Sequence, residues 1–321
     1  MATLTHDTAG ASRTASGLTL GLSAAVTFAL SGPLAKGLIA AGWTAGSAVA
    51  ARVLVAAAVL AIPAVLTLRG RWHLLRANAP VIVAYGMIAV AACQLSYFNA
   101  VDRMQVGVAL LIEFTAPVAV VGWMWLRHAQ RPGRLTVAGA VAALLGLGLV
   151  LDLVSGAELD GIGVIWALGS MVCAAFYWVI SADEHDGLPG LVLAAGGLLL
   201  GGIVLLVAGL VGVIPFTASR ADVALEGFSM PWWLTLLVLG AVTAAVPYVL
   251  GIAGSRLLGS RLASFVGLSE AVAGVVFAWL LLGETPRSIQ LLGGLFILGG
   301  VVLVRLGEPK VVEAPPGPLT P

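Results

Sequence analysis

Apolar runs long enough to cross a bilayer recur along this chain from about residue 18 to residue 306. A run of about 18 residues with few charges reads as a transmembrane helix. The repetition therefore dictates an all-α, multi-pass integral membrane protein. Only 10% of the residues are charged, where a soluble domain carries about a quarter. Almost nothing is left over for a soluble domain, and the lipid bilayer is the first partner. The net charge of +1 comes without a basic stripe, so no nucleic acid is expected.

Ten spans can be drawn: 18–40, 45–68, 79–100, 105–126, 134–154, 161–181, 189–214, 231–255, 260–283 and 287–306. Turn and charge chemistry separates them, as in RGRWHLLRANAP, RHAQRPGR and SADEHDGLPG. The connection IPFTASRADVALEGFSMP is long enough for a short surface helix. Residues 1–17 read as a polar tail. The apolar run after them is too long for a signal-peptide core, so no cleaved signal is expected. The proline-rich residues 307–321 read as a disordered tail.

Orientation follows from where Lys and Arg fall. With the N-terminus inside, the cytoplasmic segments hold Arg13, Arg69, Arg71, Arg76, Arg127, Arg131, Arg134, Arg256, Arg261, Arg305 and Lys310. The outer segments hold Arg103, Arg220 and Arg287, with Lys36 near the outer end of the first span. That bias places both termini in the cytoplasm.

The two halves echo each other. VALLIEFTAPVAVVGWMWLR (108–127) and FVGLSEAVAGVVFAWLLLGE (265–284) align Glu113 with Glu270. In each, a small and apolar run follows and then a Trp. Five spans per half is an odd number, so the second half inserts upside down. Inverted repeats with a site between them are a transporter architecture. The expected domains are therefore a first five-helix repeat over 18–154 and a second over 161–306.

AKGLIAAGWTAGSAVAARVLVAAAVL early and SEAVAGVVFAWLLLGE late, in this 5+5 layout, resemble the EamA family of the drug/metabolite transporter superfamily. LIEFTAP is similar to the threonine/homoserine exporter branch. The resemblance spans roughly residues 18–306. The sequence departs from it at Arg127, where the first repeat would end in Glu, and at Ala271, where proline is frequent. What it implies is alternating-access movement of small metabolites, often amino acid export.

Glu113 and Glu270 stand roughly 12 Å inside their spans at 1.5 Å per residue. A charge there costs about 2.5–3.5 kcal/mol on insertion scales. Such an acid persists when it is protonated, paired or facing a wet cavity, which makes both glutamates candidates for substrate binding or proton coupling. Pro117 has no N–H and would leave the carbonyl of Glu113 unpartnered nearby. The alternative is a protonated Glu113 that only ties two helices together. Arg52, about 10 Å into the second span, offers a fork that suits a substrate carboxylate or neutralises Glu113. The structural alternative is snorkelling.

Lys36, Gln94, Tyr97, Trp166, Tyr177, Tyr248 and Trp279 are candidate cavity-lining residues. Ser170 and Cys173 share a helical face with Trp166 and Tyr177. Small and hydroxyl residues also glue membrane helices, so packing competes with lining at each. Trp43, Trp72, Trp232 and Trp233 fall at span ends, as interfacial tryptophans do. Cys93 and Cys173 lie within apolar runs as small hydrophobes. The four histidines lie outside the spans, so no metal site is expected.

The reading is a secondary transporter of the bacterial inner membrane, a monomer or homodimer without cofactors, that exports an amino acid or related compound. Exchange for protons is the first expectation for coupling. An uncoupled facilitator or a drug/metabolite efflux protein stays open. A membrane-embedded enzyme on a lipid substrate is the distant alternative, since the spans hold no histidine and no GxSxG or HExxH. No GxxxxGK[ST] loop occurs, so ATP does not drive this chain directly.

Overall fold

The computed structural model describes residues 3–116, 133–150, 160–183 and 187–307. Helix dominates, as it must where hydrocarbon offers the backbone no hydrogen-bonding partner. In chain order the elements are α1 (Thr3–Ala29), α2 (Ser31–Ala40), α3 (Ala45–Leu68), α4 (His73–Ala77) and α5 (Ala79–Ala84). A π-helical segment, Tyr85–Ala92, leads into α6 (Cys93–Arg103), followed by α7 (Val106–Glu113), α8 (Arg134–Val150), α9 (Gly161–Ala182) and α10 (Gly190–Leu210). A hairpin of β1 (Val223–Leu225) and β2 (Phe228–Met230) comes next. Then come α11 (Trp232–Leu237), a second π-helical segment Val238–Ala245, α12 (Val246–Leu282) and α13 (Ser288–Gly307).

Among the described residues six helices are long and apolar enough to cross a membrane: Thr14–Ala40, Ala45–Leu68, Ala79–Arg103, Gly161–Ser181, Gly190–Leu210 and Trp232–Leu258. Arg134–Leu149, Val266–Leu282 and Ser288–Val304 are shorter apolar helices. Several expectations change. The helix begins at Thr3, inside the expected polar tail. The expected turn between the eighth and ninth spans is absent, because α12 runs for 37 residues. At about 1.5 Å per residue it outruns a hydrocarbon core of about 30 Å. The long connection between the seventh and eighth expected spans holds a hairpin and not a surface helix, turning at Gly227 with φ +79°. Trp43 is buried, with its indole N–H donating to Ser219 O, and is not a free belt residue.

Local chemistry sets the helix ends. Thr44 and Ser47 form a reciprocal capping box at the start of α3, and Thr44 Oγ1 also donates to Pro215 O at 2.9 Å. Asp160 caps α9 by accepting from Gly163 N–H at 3.0 Å. That bond, with Arg103 beside it, holds the Asp160 carboxyl below the usual carboxylate range. This cap is formed at neutral pH and is lost as pH falls through the depressed value.

Packing pairs the helices across the chain. α1 lies on α12 and α9 on α6; α3 meets α10; the first π segment packs on α10 and the second on α3; α8 pairs with α13. The last pair touches backbone to backbone. A Cβ at Gly146 would stand 2.6 Å from Gly293 O and 2.7 Å from Ile297 N. Close approach through small residues is how helices associate in lipid. Gly146→Leu should push the pair apart and cost about 1–3 kcal/mol, as overpacking does. A lowered melting temperature in detergent is the check, and unchanged melting would show that the pair tolerates separation.

Candidate functional site

One cavity runs between α1, α6, α7, α9 and α12, and both membrane glutamates line it. α7 ends at Glu113, where the chain turns through Phe114 and Thr115. Thr115 Oγ1 donates back to Ile112 O at 2.7 Å and helps close that end. Pro117 and the rest of the fourth expected span to residue 126 lie outside the described residues, as does Arg127. Glu113 is half-buried, and its Oε2 accepts a 2.6 Å hydrogen bond from Ser170 Oγ. Ser170 is fully buried on α9 and lies against Cys93 of α6. The glutamate is thus steered from a neighbouring helix, with its other oxygen left for the cavity. Ser170→Ala should weaken substrate affinity about tenfold or more, the size of one hydrogen bond to a charged group. Concentration dependence of flux would show it as a raised KM, and an unchanged KM would deny the steering.

Glu270 is also half-buried, on α12, and has no hydrogen-bond partner among the described residues. Gln94, Tyr177 and Tyr248 line the same cavity. Tyr248 OH accepts from Gln94 Nε2 at 3.2 Å and lies 3.4 Å from Ala89 O in the first π segment. Its ring meets Tyr177 edge-on at 5.8 Å between centroids. Besides Phe114 at the end of α7, Phe28 and Trp178 add to the aromatic wall. Nothing in their sequence surroundings marked these two, because an aromatic residue in an apolar span looks the same facing lipid or cavity.

Arg52 does not line the cavity. Its residue is 0% exposed. Nη1 donates to Gln94 Oε1, Nη2 to Thr243 O, and Nε to Leu239 O at 3.3 Å. Phe28 and Phe98 place their rings 5.1 and 5.5 Å from the guanidinium carbon. Snorkelling fails for the same reason, since every arm of the fork turns inward. The second π segment explains this placement. Winding by i→i+5 disrupts the regular α ladder, and Leu239 O and Thr243 O both lie within that segment. Arg52 is therefore a clamp from α3 onto an irregular stretch of backbone.

Four other candidates also lie off the cavity. Lys36 Nζ pairs with Glu284 Oε1 at 2.5 Å and donates to Met104 O at 2.9 Å. Glu284 Oε2 accepts from Val106 N–H at 3.0 Å. The final acid of WLLLGE thus ties α2, the α6–α7 link and the end of α12 together. Gly283 makes that reach possible by leaving the helix at φ +66°. Tyr97 is buried, with its hydroxyl unpartnered among the described residues and pressed against Gly32. Trp166 is partly buried and packs on the core. Trp279 is 54% exposed on the outer surface of α12 and does not face inward.

Comparison with known proteins agrees with this architecture. The EamA-like transporter family matches residues 15–152 and again 161–306. The chain is 28% identical to the "Threonine/homoserine exporter RhtA" of Escherichia coli (strain K12), over 72% of each chain. It is 30% identical to an "Uncharacterized transporter" of Archaeoglobus fulgidus, over 65% of this chain and 70% of the relative. A solved crystal structure at 18% identity superposes with a TM-score of 0.61, covering 91% of this chain and 97% of the other, which shows a shared fold. Helices that suit a bilayer, a cavity with acid in it and this double match together identify a multi-pass membrane transporter of small molecules: the chain belongs to the EamA-like transporter family.

Proposed function

We propose that this transporter exports a small amine-bearing metabolite, an amino acid or a related compound, across the inner membrane in exchange for protons. The observation that carries the reading is the meeting of Glu113 and Glu270, from opposite halves of the chain, at one cavity. An ammonium group pairs with a carboxylate there, and a proton takes its place on the return. The exporter name of the Escherichia coli relative supports the substrate class.

Alternating access needs two bodies that rock about the site. We assign them to the two five-helix repeats, inverted with respect to each other. Two features support that assignment. Each half contains a helix of six residues, a π segment of eight, and an α-helical continuation: Ala79–Ala84 with Tyr85–Ala92, and Trp232–Leu237 with Val238–Ala245. The packing is reciprocal too, since the first π segment meets α10 of the second half and the second meets α3 of the first.

The test is flux in proteoliposomes. Labelled threonine loaded inside should leave faster when a proton gradient is imposed in the direction that drives exchange. Flux that ignores the gradient would favour a facilitator, and the absence of threonine flux under any gradient would remove the amino acid from the reading.

A further inference from the structure

The cavity contains carboxylates but, among the described residues, no Lys or Arg lines it. A zwitterion needs both kinds of partner. Among the described residues Arg52 is the fully buried cation, and its fork is already engaged by Gln94, Thr243 O and Leu239 O, with Phe28 and Phe98 against the guanidinium. Reaching a substrate carboxylate would require breaking those bonds, and each buried group thereby left without a donor costs about 1–3 kcal/mol. A substrate carboxylate entering the cavity would thus meet two acids and, among the described residues, no positive partner. Removing such a group from water without a partner weakens binding, so an amino acid is held less tightly than its amine without being shut out.

The remaining walls suit a cation. Phe28, Tyr177, Trp178 and Tyr248 offer ring faces and edges around Glu113 and Glu270. A desolvated cation over an aromatic face gains about 2 kcal/mol or more. Glu113 keeps one oxygen clear of Ser170, and Glu270 has no hydrogen-bond partner among the described residues. Two acids on opposing helices give two anchoring points.

From this arrangement we infer that the cavity selects organic amines lacking a carboxylate, monoamines or diamines, over the zwitterionic amino acids that carry the same side chains. The inference rests on the reading that Glu113 and Glu270 form the substrate site, and it narrows the substrate class of that site. A diamine engages both acids, whereas a monoamine leaves one of them for a proton.

Matched pairs test it, because each amine differs from its parent only by the carboxylate: cadaverine against lysine, and tyramine against tyrosine. Binding to the purified full chain at neutral pH would be measured by calorimetry or ligand-induced thermal stabilisation. Each amine should bind at least tenfold tighter than its amino acid, and Glu270→Gln should weaken cadaverine more than tyramine. Amino acids that bind as tightly as the amines, or tighter, overturn the inference while leaving the glutamate site standing. If the amines bind the Glu113→Gln/Glu270→Gln double variant as well as the native chain, the site itself is misplaced and the inference falls with it. Failure of every probe to bind the native chain overturns both. The melting temperature of each ligand-free variant establishes that it is folded, and Glu113→Asp, which keeps the charge, should retain the preference for amines.

Discussion

Proteoliposomes carrying Glu113→Gln are expected to lose proton-driven exchange, with gradient-dependent flux falling by about two orders of magnitude. The substitution keeps size and shape, and the new amide oxygen can still accept from Ser170 Oγ, which sits 2.6 Å from the native carboxylate. What it removes is the capacity to carry charge and to exchange a proton for an ammonium. A hydrogen bond to a charged group is worth about 1.5–3 kcal/mol, and about 1.4 kcal/mol is a factor of ten, which gives the size of the loss. Thermal unfolding in detergent should move by only a few degrees, since the helix end, its turn and the serine contact survive. Gradient-driven flux at the native level would reject a coupling role for this acid.

The second large effect concerns stability. Arg52→Ala is expected to destabilise the fold by about 3–5 kcal/mol, the upper range for single substitutions. Gln94 Oε1 and Thr243 O would lose the donors described above, Leu239 O would lose one donor while the Thr243 hydroxyl still reaches it, and Phe28 and Phe98 would flank a void. Arg52→Lys should recover only part of this, because an ammonium cannot reproduce the planar fork. The measurement is the melting temperature in detergent, expected to fall by roughly 5–10 °C for Arg52→Ala. A well-folded Arg52→Ala protein that selectively loses amino acid binding would return this residue to the substrate site and remove the clamp.

The contrast between these two residues shows what could be read in advance. Glu113 and Glu270 were legible because an acid within an apolar run has few acceptable surroundings, and a wet cavity is one of them. Gln94, Tyr177 and Tyr248 followed as polar groups at helical spacing. Arg52 was misplaced because its acceptors are main-chain carbonyls in an irregular turn, and no side-chain pattern announces a π segment. Trp279 failed for a different reason. In a soluble helix a polar face separates outside from inside, but a lipid-facing surface is as apolar as a core. α12 therefore gives no periodic sign of which way the indole points. The helix running through the expected turn was hidden as well: Arg256 and Arg261 mimic a loop, yet arginine is a good helix former.

The paired π segments carry a consequence for how this sequence tolerates length changes. A π turn accommodates one surplus residue, so removing a single residue within Val238–Ala245 would let ordinary winding resume. Positions beyond it would keep their faces, because the wide turn is what absorbs the extra residue, and Tyr248 and Glu270 would stay in register with Glu113. What the deletion removes is the irregular backbone that Arg52 grips through Leu239 O and Thr243 O, so stability would fall while the chamber keeps its shape.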